Sequence, residues 1–262
     1  MKQIWLIGGT RESAIIAQEM AAASLPTIVT ATTATAQSLY PNHPQLKVEI
    51  GQLDCLQLEQ FLEREEIIGI VDASHPYAVQ ISQIAMEVAL KRNLPYLRYE
   101  RPYLNSVSPS TTVIELDSFD TLLESDYLLG ERVLLTVGYK MLPRFQVWQN
   151  RATLFARILP DLNSLEIALA AGFTAERIIA FRPPFSAELE KALWQDWHIS
   201  LVVTKASGEA GGEDIKRRVA AELGIPLIII ARPKIIYPQQ TSNLLEVLSF
   251  CRQDFGVESL FI

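Results

Sequence analysis

The sequence predicts an α/β protein built from two doubly wound parallel-sheet domains with a cleft between them. Three observations carry this. The chain opens on strand, glycine turn and helix: an apolar run at residues 2–7, then Gly8-Gly9-Thr10-Arg11-Glu12, then a helix-forming stretch at 13–23. Short apolar runs alternate with helix-period segments along most of the 262 residues. One polar stretch, 105–112, interrupts the alternation, which then restarts. Strands separated by helices of this length need crossover connections, and these put helices on both faces of a parallel sheet.

Taken in order, the first set of strands is 2–7, Thr27–Ala31, 47–50, 67–73 and 95–99, the last entered through Pro95. Between them, 56–66 is helical, with Leu56, Leu58, Phe61 and Leu62 apolar. Residues 77–92 repeat Ala78, Ile81, Ala85, Val88 and Ala89 at three- and four-residue steps, a helical period. Ser106, Ser108, Pro109 and Ser110 mark the crossing to the second set. There, strands are expected at 133–137, 153–159, 177–181, 200–204 and 227–231. Helices are expected at 164–171, Ala187–Asp196, Glu213–Leu223 and 244–252. The domains are thus 1–104 and 113–255, with ligands expected at the carboxyl ends of the strands.

Composition excludes several partners. A net charge of −7 argues against nucleic acid, whose usual footprint is a basic face. No apolar stretch reaches the roughly 18 residues of a membrane span, and the N-terminal run ends at two glycines, unlike a signal peptide. A cytoplasmic protein, monomeric or weakly homo-oligomeric, is expected. Cys55 and Cys251 then read as free thiols. His43, His75 and His198 are scattered, which argues against a metal site.

The opening loop, Gly8 to Glu12, places backbone N–H groups and the positive end of a helix where a phosphate would sit. Its spacing is not G-x-G-x-x-G, so a plain tight turn is the competing reading. The second strand runs out through Val29-Thr30-Ala31-Thr32-Thr33 with no acid. NAD-specific sheets usually place Asp or Glu there for the ribose 2′-hydroxyl, so NADP is favoured, with Arg11 available for a 2′-phosphate. No Tyr-x-x-x-Lys pair occurs, which removes the usual proton-transfer dyad of short-chain dehydrogenases.

Two further constellations sit where strands hand over to helices. In Asp72-Ala73-Ser74-His75-Pro76-Tyr77-Ala78, Pro76 suits a first helical turn and Ser74 or His75 suits a cap. Capping leaves unexplained an Asp at the strand end beside a His at the loop tip. In Thr204-Lys205-Ala206-Ser207-Gly208-Glu209-Ala210-Gly211-Gly212, three glycines and Ser207 can form an anion nest, with Lys205 adding a charge. A solvated surface loop is the competing reading. Arg98, Arg101, Lys140, Arg157, Arg182 and Arg232 also fall at or just after strand ends, and would line a cationic cleft if the sheets face each other.

Together with Pro95-Tyr96-Leu97-Arg98-Tyr99-Glu100-Arg101-Pro102, Gly224-Ile225-Pro226 and Arg232-Pro233, these motifs stand in an order that resembles the precorrin-6A (cobalt-precorrin-6A) reductase family of corrin-ring biosynthesis. The resemblance runs from near residue 1 to about 235. It implies two Rossmann-like domains, leaving room for a strand exchanged between them, and NADPH-dependent reduction of one double bond in a polycarboxylated tetrapyrrole. It implies a cofactor site at Gly8, Gly9, Thr10, Arg11, Glu12, Thr32 and Ser74, and substrate contacts from Tyr77, Arg98, Arg101, Lys140, Lys205, Ser207, Gly211 and Gly212. His75 is the candidate proton donor, with Asp72 to orient it and Lys205 as the rival; the competing reading is that His75 only caps the helix and water supplies the proton. Tyr77 and Ser74 depart from the Phe and Thr expected of the family. The competing functions are a non-catalytic two-lobed sensor and an epimerase- or dehydratase-like enzyme; the missing Tyr-x-x-x-Lys weakens the latter.

Overall fold

The structure, a computed structural model, describes residues 1–51, 53, 55–104 and 113–254. The polar crossing at 105–112 lies outside the described residues. The chain divides into two compact units, Met1–Pro102 with Pro233–Ile262, and Tyr103–Arg232.

The first unit runs β1 (Gln3–Ile7), α1 (Arg11–Ala22), β2 (Thr27–Ala31), α2 (Ala34–Gln37), β3 (Leu46–Ile50), α3 (Cys55–Arg64), β4 (Ile67–Asp72), α4 (Val79–Arg92) and β5 (Tyr96–Tyr99). The second opens with β6 (Val113–Leu116) and α5 (Phe119–Leu123). It continues through β7 (Arg132–Thr136), a 3-10 helix (Tyr139–Trp148), β8 (Thr153–Ile158), α6 (Leu162–Ala170) and β9 (Ile178–Ala180). It closes with α7 (Ala187–Asp196), β10 (Leu201–Lys205), α8 (Glu213–Leu223) and β11 (Leu227–Ile230). Two elements then return to the first unit: β12 (Gln240–Thr241) and α9 (Leu244–Asp254).

Each unit is a six-stranded parallel sheet. The orders are β3-β2-β1-β4-β5-β12 and β9-β8-β7-β10-β11-β6. Both have the doubly wound pattern, with a reversal between β1 and β4 in the first sheet and between β7 and β10 in the second. The sixth strands are exchanged. β6 follows β5 in the chain but pairs with β11, and β12 follows β11 but pairs with β5. The β12 edge is joined by Arg98 N–H to Gln239 O at 2.9 Å and Glu100 N–H to Thr241 O at 2.8 Å.

This corrects the expected 113–255 boundary. Helix α9 packs into the first core, where its Val247, Leu248, Phe250 and Cys251 join Ile4, Leu6, Ile16, Met20, Val29, Val71 and Leu97. An apolar helix face fits a sheet of either unit, so its sequence carries no address. β1 shows why both faces are covered. Ile4 and Leu6 point to this cluster, while Trp5 and Ile7 point to a second one with Ile28, Leu58, Phe61, Ile70 and Val88. The other unit builds its core on Leu134, Phe155, Trp194, Val202, Val219, Leu227 and Ile229.

One other expectation changes. Helix α4 starts at Val79 rather than 77, its N-cap is Ala78, and no side chain caps it. Pro76 therefore lies before the helix, and Ser74 and His75 do not cap it. Between β7 and β8 the chain forms a 3-10 helix containing Pro143, whose missing N–H breaks the α-helical pattern that periodicity detects.

Candidate functional site

In the first sheet, β1 connects outward to β2 and β4 connects outward to β5. Their loops part at the carboxyl edge and leave a crevice. Thr10, Glu12, Ala73, Ser74, Pro76, Arg98, Tyr99 and Arg101 line it. Thr10 caps α1 through a reciprocal box: its Oγ1 accepts from Ser13 N at 3.0 Å, and its N–H donates to Ser13 Oγ at 3.0 Å. The same Thr10 hydroxyl donates to Ala73 O at 2.9 Å, tying the two loops together. Gly8 N–H is held by Thr30 O, and Gly9 N–H by the Tyr40 hydroxyl at 2.7 Å. The glycines are therefore not the bare donors expected. Gly9 supplies a φ of +94°, and a Cβ on Gly8 would run into the Tyr40 hydroxyl. The N–H groups that meet no acceptor among the described residues are those of Arg11 and Glu12, in the first turn of α1.

The loop after β4 rests on a buried hub. Asp72 is 0 % exposed and Arg98 1 %. They are register partners on β4 and β5, so their side chains share a face. Asp72 Oδ1 accepts from Arg98 NH1 at 2.9 Å and Ser74 N at 3.0 Å, and Oδ2 accepts from Ser82 Oγ at 2.6 Å and Tyr96 OH at 2.7 Å. Arg98 also donates to Ser74 Oγ at 3.0 Å and pairs with Glu100 at 2.8 Å. Burial, then the Asp72 charge, drives the Tyr96 pKa up, so its hydroxyl stays a donor.

Two expectations fail here for the same reason. Asp72 is spent beneath the loop rather than beside His75, and Arg98 is an internal counter-ion rather than a cation facing substrate. His75 itself is exposed at the loop tip. Its Nδ1 accepts from Tyr77 N at 3.3 Å, which in the neutral ring leaves the proton on Nε2. The Tyr77 ring lies 5.7 Å from it. Arg101 forks onto Glu12, at 2.9 Å from Nε and 3.0 Å from NH2, and so belongs to the crevice of the first unit. Thr32 is exposed just past β2.

The second sheet reverses between β7 and β10. Gly138, Tyr139 and Lys140 follow β7, and Lys205 ends β10. The Lys205 pKa is lowered to about 8, first by burial and then by the charge of Lys140. Its ammonium lies 5.8 Å from the centre of the Phe119 ring. The glycine-rich loop beyond it is filled from within. Glu213, 3 % exposed at the start of α8, accepts from Gly208 N–H at 2.9 Å. Lys216, 2 % exposed, donates to Gly211 O at 2.8 Å and Gly212 O at 3.0 Å. Ser207 is buried beneath Gly211, where a Cβ would collide with its hydroxyl. A carboxylate of the protein already sits at the positive end of α8, so the expected open anion nest is not there. Among the described residues, no three His, Cys, Asp or Glu side chains gather as a metal site, and no helix is long and apolar enough to cross a membrane.

Residues 3–252 match the model of the family described as precorrin-6x reductase CbiJ/CobK. The chain belongs to this family. The reductase is 47 % identical to the cobalt-precorrin-6A reductase of Synechocystis sp. over 95 % of this chain and 96 % of that one. It is 32 % identical to the enzyme of the same name from Priestia megaterium, over 94 % and 96 %. A solved CobK precorrin-6A reductase shares the fold, with a TM-score of 0.79 at 22 % identity over 97 % of each chain. Membership makes the protein an oxidoreductase of cobalamin biosynthesis that acts on a ring double bond, which sets aside the sensor and the epimerase.

Within the reductase, the first unit brings together the Gly8–Glu12 loop, Ser74 and Arg101, His75 stands exposed at the tip of the loop after β4, and the second unit brings together Lys140 and Lys205. Reading the sequence missed Tyr40, Ser82, Tyr96, Glu213 and Lys216. Glu213 and Lys216 bear the spacing of a helix's first turn and were legible as loop braces. Tyr40 joins the glycine loop from across the sheet, and no local pattern announces such a contact.

Proposed function

We propose that this reductase uses NADPH to reduce one ring carbon–carbon double bond of cobalt-precorrin-6A, giving cobalt-precorrin-6B. The relatives at 47 % and 32 % identity are both named for the cobalt form. The observation that carries the cofactor reading is the crevice of the first unit. Two unbonded amides, of Arg11 and Glu12, open the helix there, and β2 beside it ends without an acid. This donor set fits a dinucleotide phosphate on the amides and a 2′-phosphate on the Arg11 guanidinium, with Thr32 at the neighbouring strand end. NADPH, when bound, supplies the hydride.

The protein's own residues supply the rest. Arg101 neutralises Glu12, which would otherwise repel a phosphate at the helix start. Ser74, fixed by Asp72 and Arg98, anchors the loop that carries His75. His75 delivers the proton from its imidazolium form to the carbon beside the reduced one and returns to the neutral ring whose Nδ1 accepts from Tyr77 N–H, with Lys205 as the competing source. Lys140 and Lys205 bind carboxylates of the tetrapyrrole: two cations that repel each other are relieved by an anion. The proposal includes a cytoplasmic setting and a monomer or weak homo-oligomer. The test is loss of nicotinamide absorbance when purified protein, NADPH and cobalt-precorrin-6A are mixed. Oxidation of NADH at an equal rate, or no oxidation of either, would reject the cofactor assignment.

A further inference from the structure

We propose that Tyr40 is a positioning residue for the cofactor phosphates: its hydroxyl occupies the glycine loop as a built-in acceptor and leaves the ligand only the Arg11 and Glu12 amides. The proposal rests on the cofactor reading above. Tyr40 lies three residues past α2, and its ring packs in the first core. Its oxygen accepts from Gly9 N–H at 2.7 Å and lies 2.7 Å from Ser13 Oγ. Ser13 Oγ donates to Thr10 O at 2.7 Å, so the proton between Tyr40 and Ser13 comes from Tyr40. The result is a directed chain, from Gly9 N–H to Tyr40 O–H to Ser13 O–H to Thr10 C=O. It links the glycine turn to the start of α1, and every donor in it is used. Burial pushes the Tyr40 pKa up, against the opposing pull of the Gly9 and Ser13 bonds, so the hydroxyl keeps the proton the chain needs.

Two consequences follow from this geometry. A phosphate cannot take Gly9 N–H without displacing a buried phenol, so it is directed one step along, to the first helical amides. Tyr40 also spans the two places a dinucleotide uses in such a sheet, the loop after β1 and the segment after β2. It therefore fixes the phosphate loop relative to the segment that meets the adenosine end. Gly8 is glycine for the same reason, since any Cβ there takes the space of the Tyr40 hydroxyl.

The experiment compares NADPH with adenosine 2′-monophosphate, which carries the adenosine end and its 2′-phosphate but no pyrophosphate. Tyr40→Phe keeps the ring and removes the acceptor. We expect its NADPH Kd to rise about tenfold, the scale of one ordinary hydrogen bond lost from the loop that presents the amides, with adenosine 2′-monophosphate affinity unchanged. A general loosening of the unit would weaken both ligands equally, and that result overturns the proposal, as does a wild-type NADPH Kd. Should Tyr40→Phe fail to fold, Ser13→Ala cuts the next link and must give the same pattern. Failure of the wild-type protein to bind NADPH is a separate result, which rejects the cofactor reading itself.

Discussion

Lys205 and Arg11 stand at the carboxyl edges of different sheets, and their chemistry separates by what each is asked to hold. Below about pH 8 Lys205 is a cation; above it, the free protein loses that charge, because burial and Lys140 favour the neutral amine. The proposed contact with substrate carboxylates needs the cation. The KM for the tetrapyrrole is therefore expected to rise as pH passes through about 8, while NADPH affinity stays level. Lys140→Met removes the second cause of the lowered pKa, so the break should move upward in pH even as KM increases. A break that stays in place in that variant would dissociate the two lysines. Arg11 is tested by cofactor choice. Arg11→Ala should cost NADPH binding about 1.5–3 kcal/mol, the range for bonds to charged groups, and leave NADH nearly unchanged. Equal losses for both cofactors, measured as Kd, would remove Arg11 from the 2′-phosphate.

Loops at strand ends carry the candidate site, and what braces each loop was less legible than the loop itself. The strands at 27–31 and the helices at 187–196 and 213–223 fall where periodicity puts them, because both rest on side-chain patterns internal to the segment. β6, β12, α2 and α5 were not legible. They are two to five residues long, too short to display a period. The glycine loops were read for their bare amides, yet Tyr40 and Glu213 had already taken them. Polar residues at the sheet edge were read as facing a ligand, yet Asp72 and Arg98 face each other through the β4–β5 register. This pairing makes a prediction for the loop after β4. Asp72→Asn leaves a buried guanidinium short of its partner, and should cost about 3 kcal/mol of stability. The catalytic effect should appear in the rate of the chemical step more than in KM, since Ser74 and the His75 loop lose their anchor together. Stability loss with an unaltered single-turnover rate would confine Asp72 to the core.

At the scale of the whole molecule, the exchanged sixth strands make each unit depend on chain from the other half. The first unit takes the heavier debt, because α9 comes with β12. Val247, Leu248 and Phe250 are buried there. At about 1.5–3 kcal/mol per side chain they contribute about 5–9 kcal/mol, comparable with the entire stability of a typical domain. A chain ending at Arg232 is thus expected to lose protection in the first unit, though every residue removed lies beyond the second. Hydrogen exchange should find β4 and β5 unprotected in that truncation and β7, β10 and β11 still protected. Loss of protection in the second unit instead would contradict the assignment of α9.

Synthesis proceeds from the N-terminus, and the exchange inverts the order in which the halves are finished. The second unit has its edge strand, β6, before its other strands are made, and is complete once β11 emerges. The first unit must hold β5 open from Tyr99 until Gln240 arrives, roughly 140 residues later, or ~7–30 s at ordinary rates of translation. During that interval it presents an unpaired strand and an uncovered apolar face to the cell. The half of the protein that is born first is the last to close, and a nascent chain stalled before residue 240 should be bound by chaperones through its N-terminal half alone.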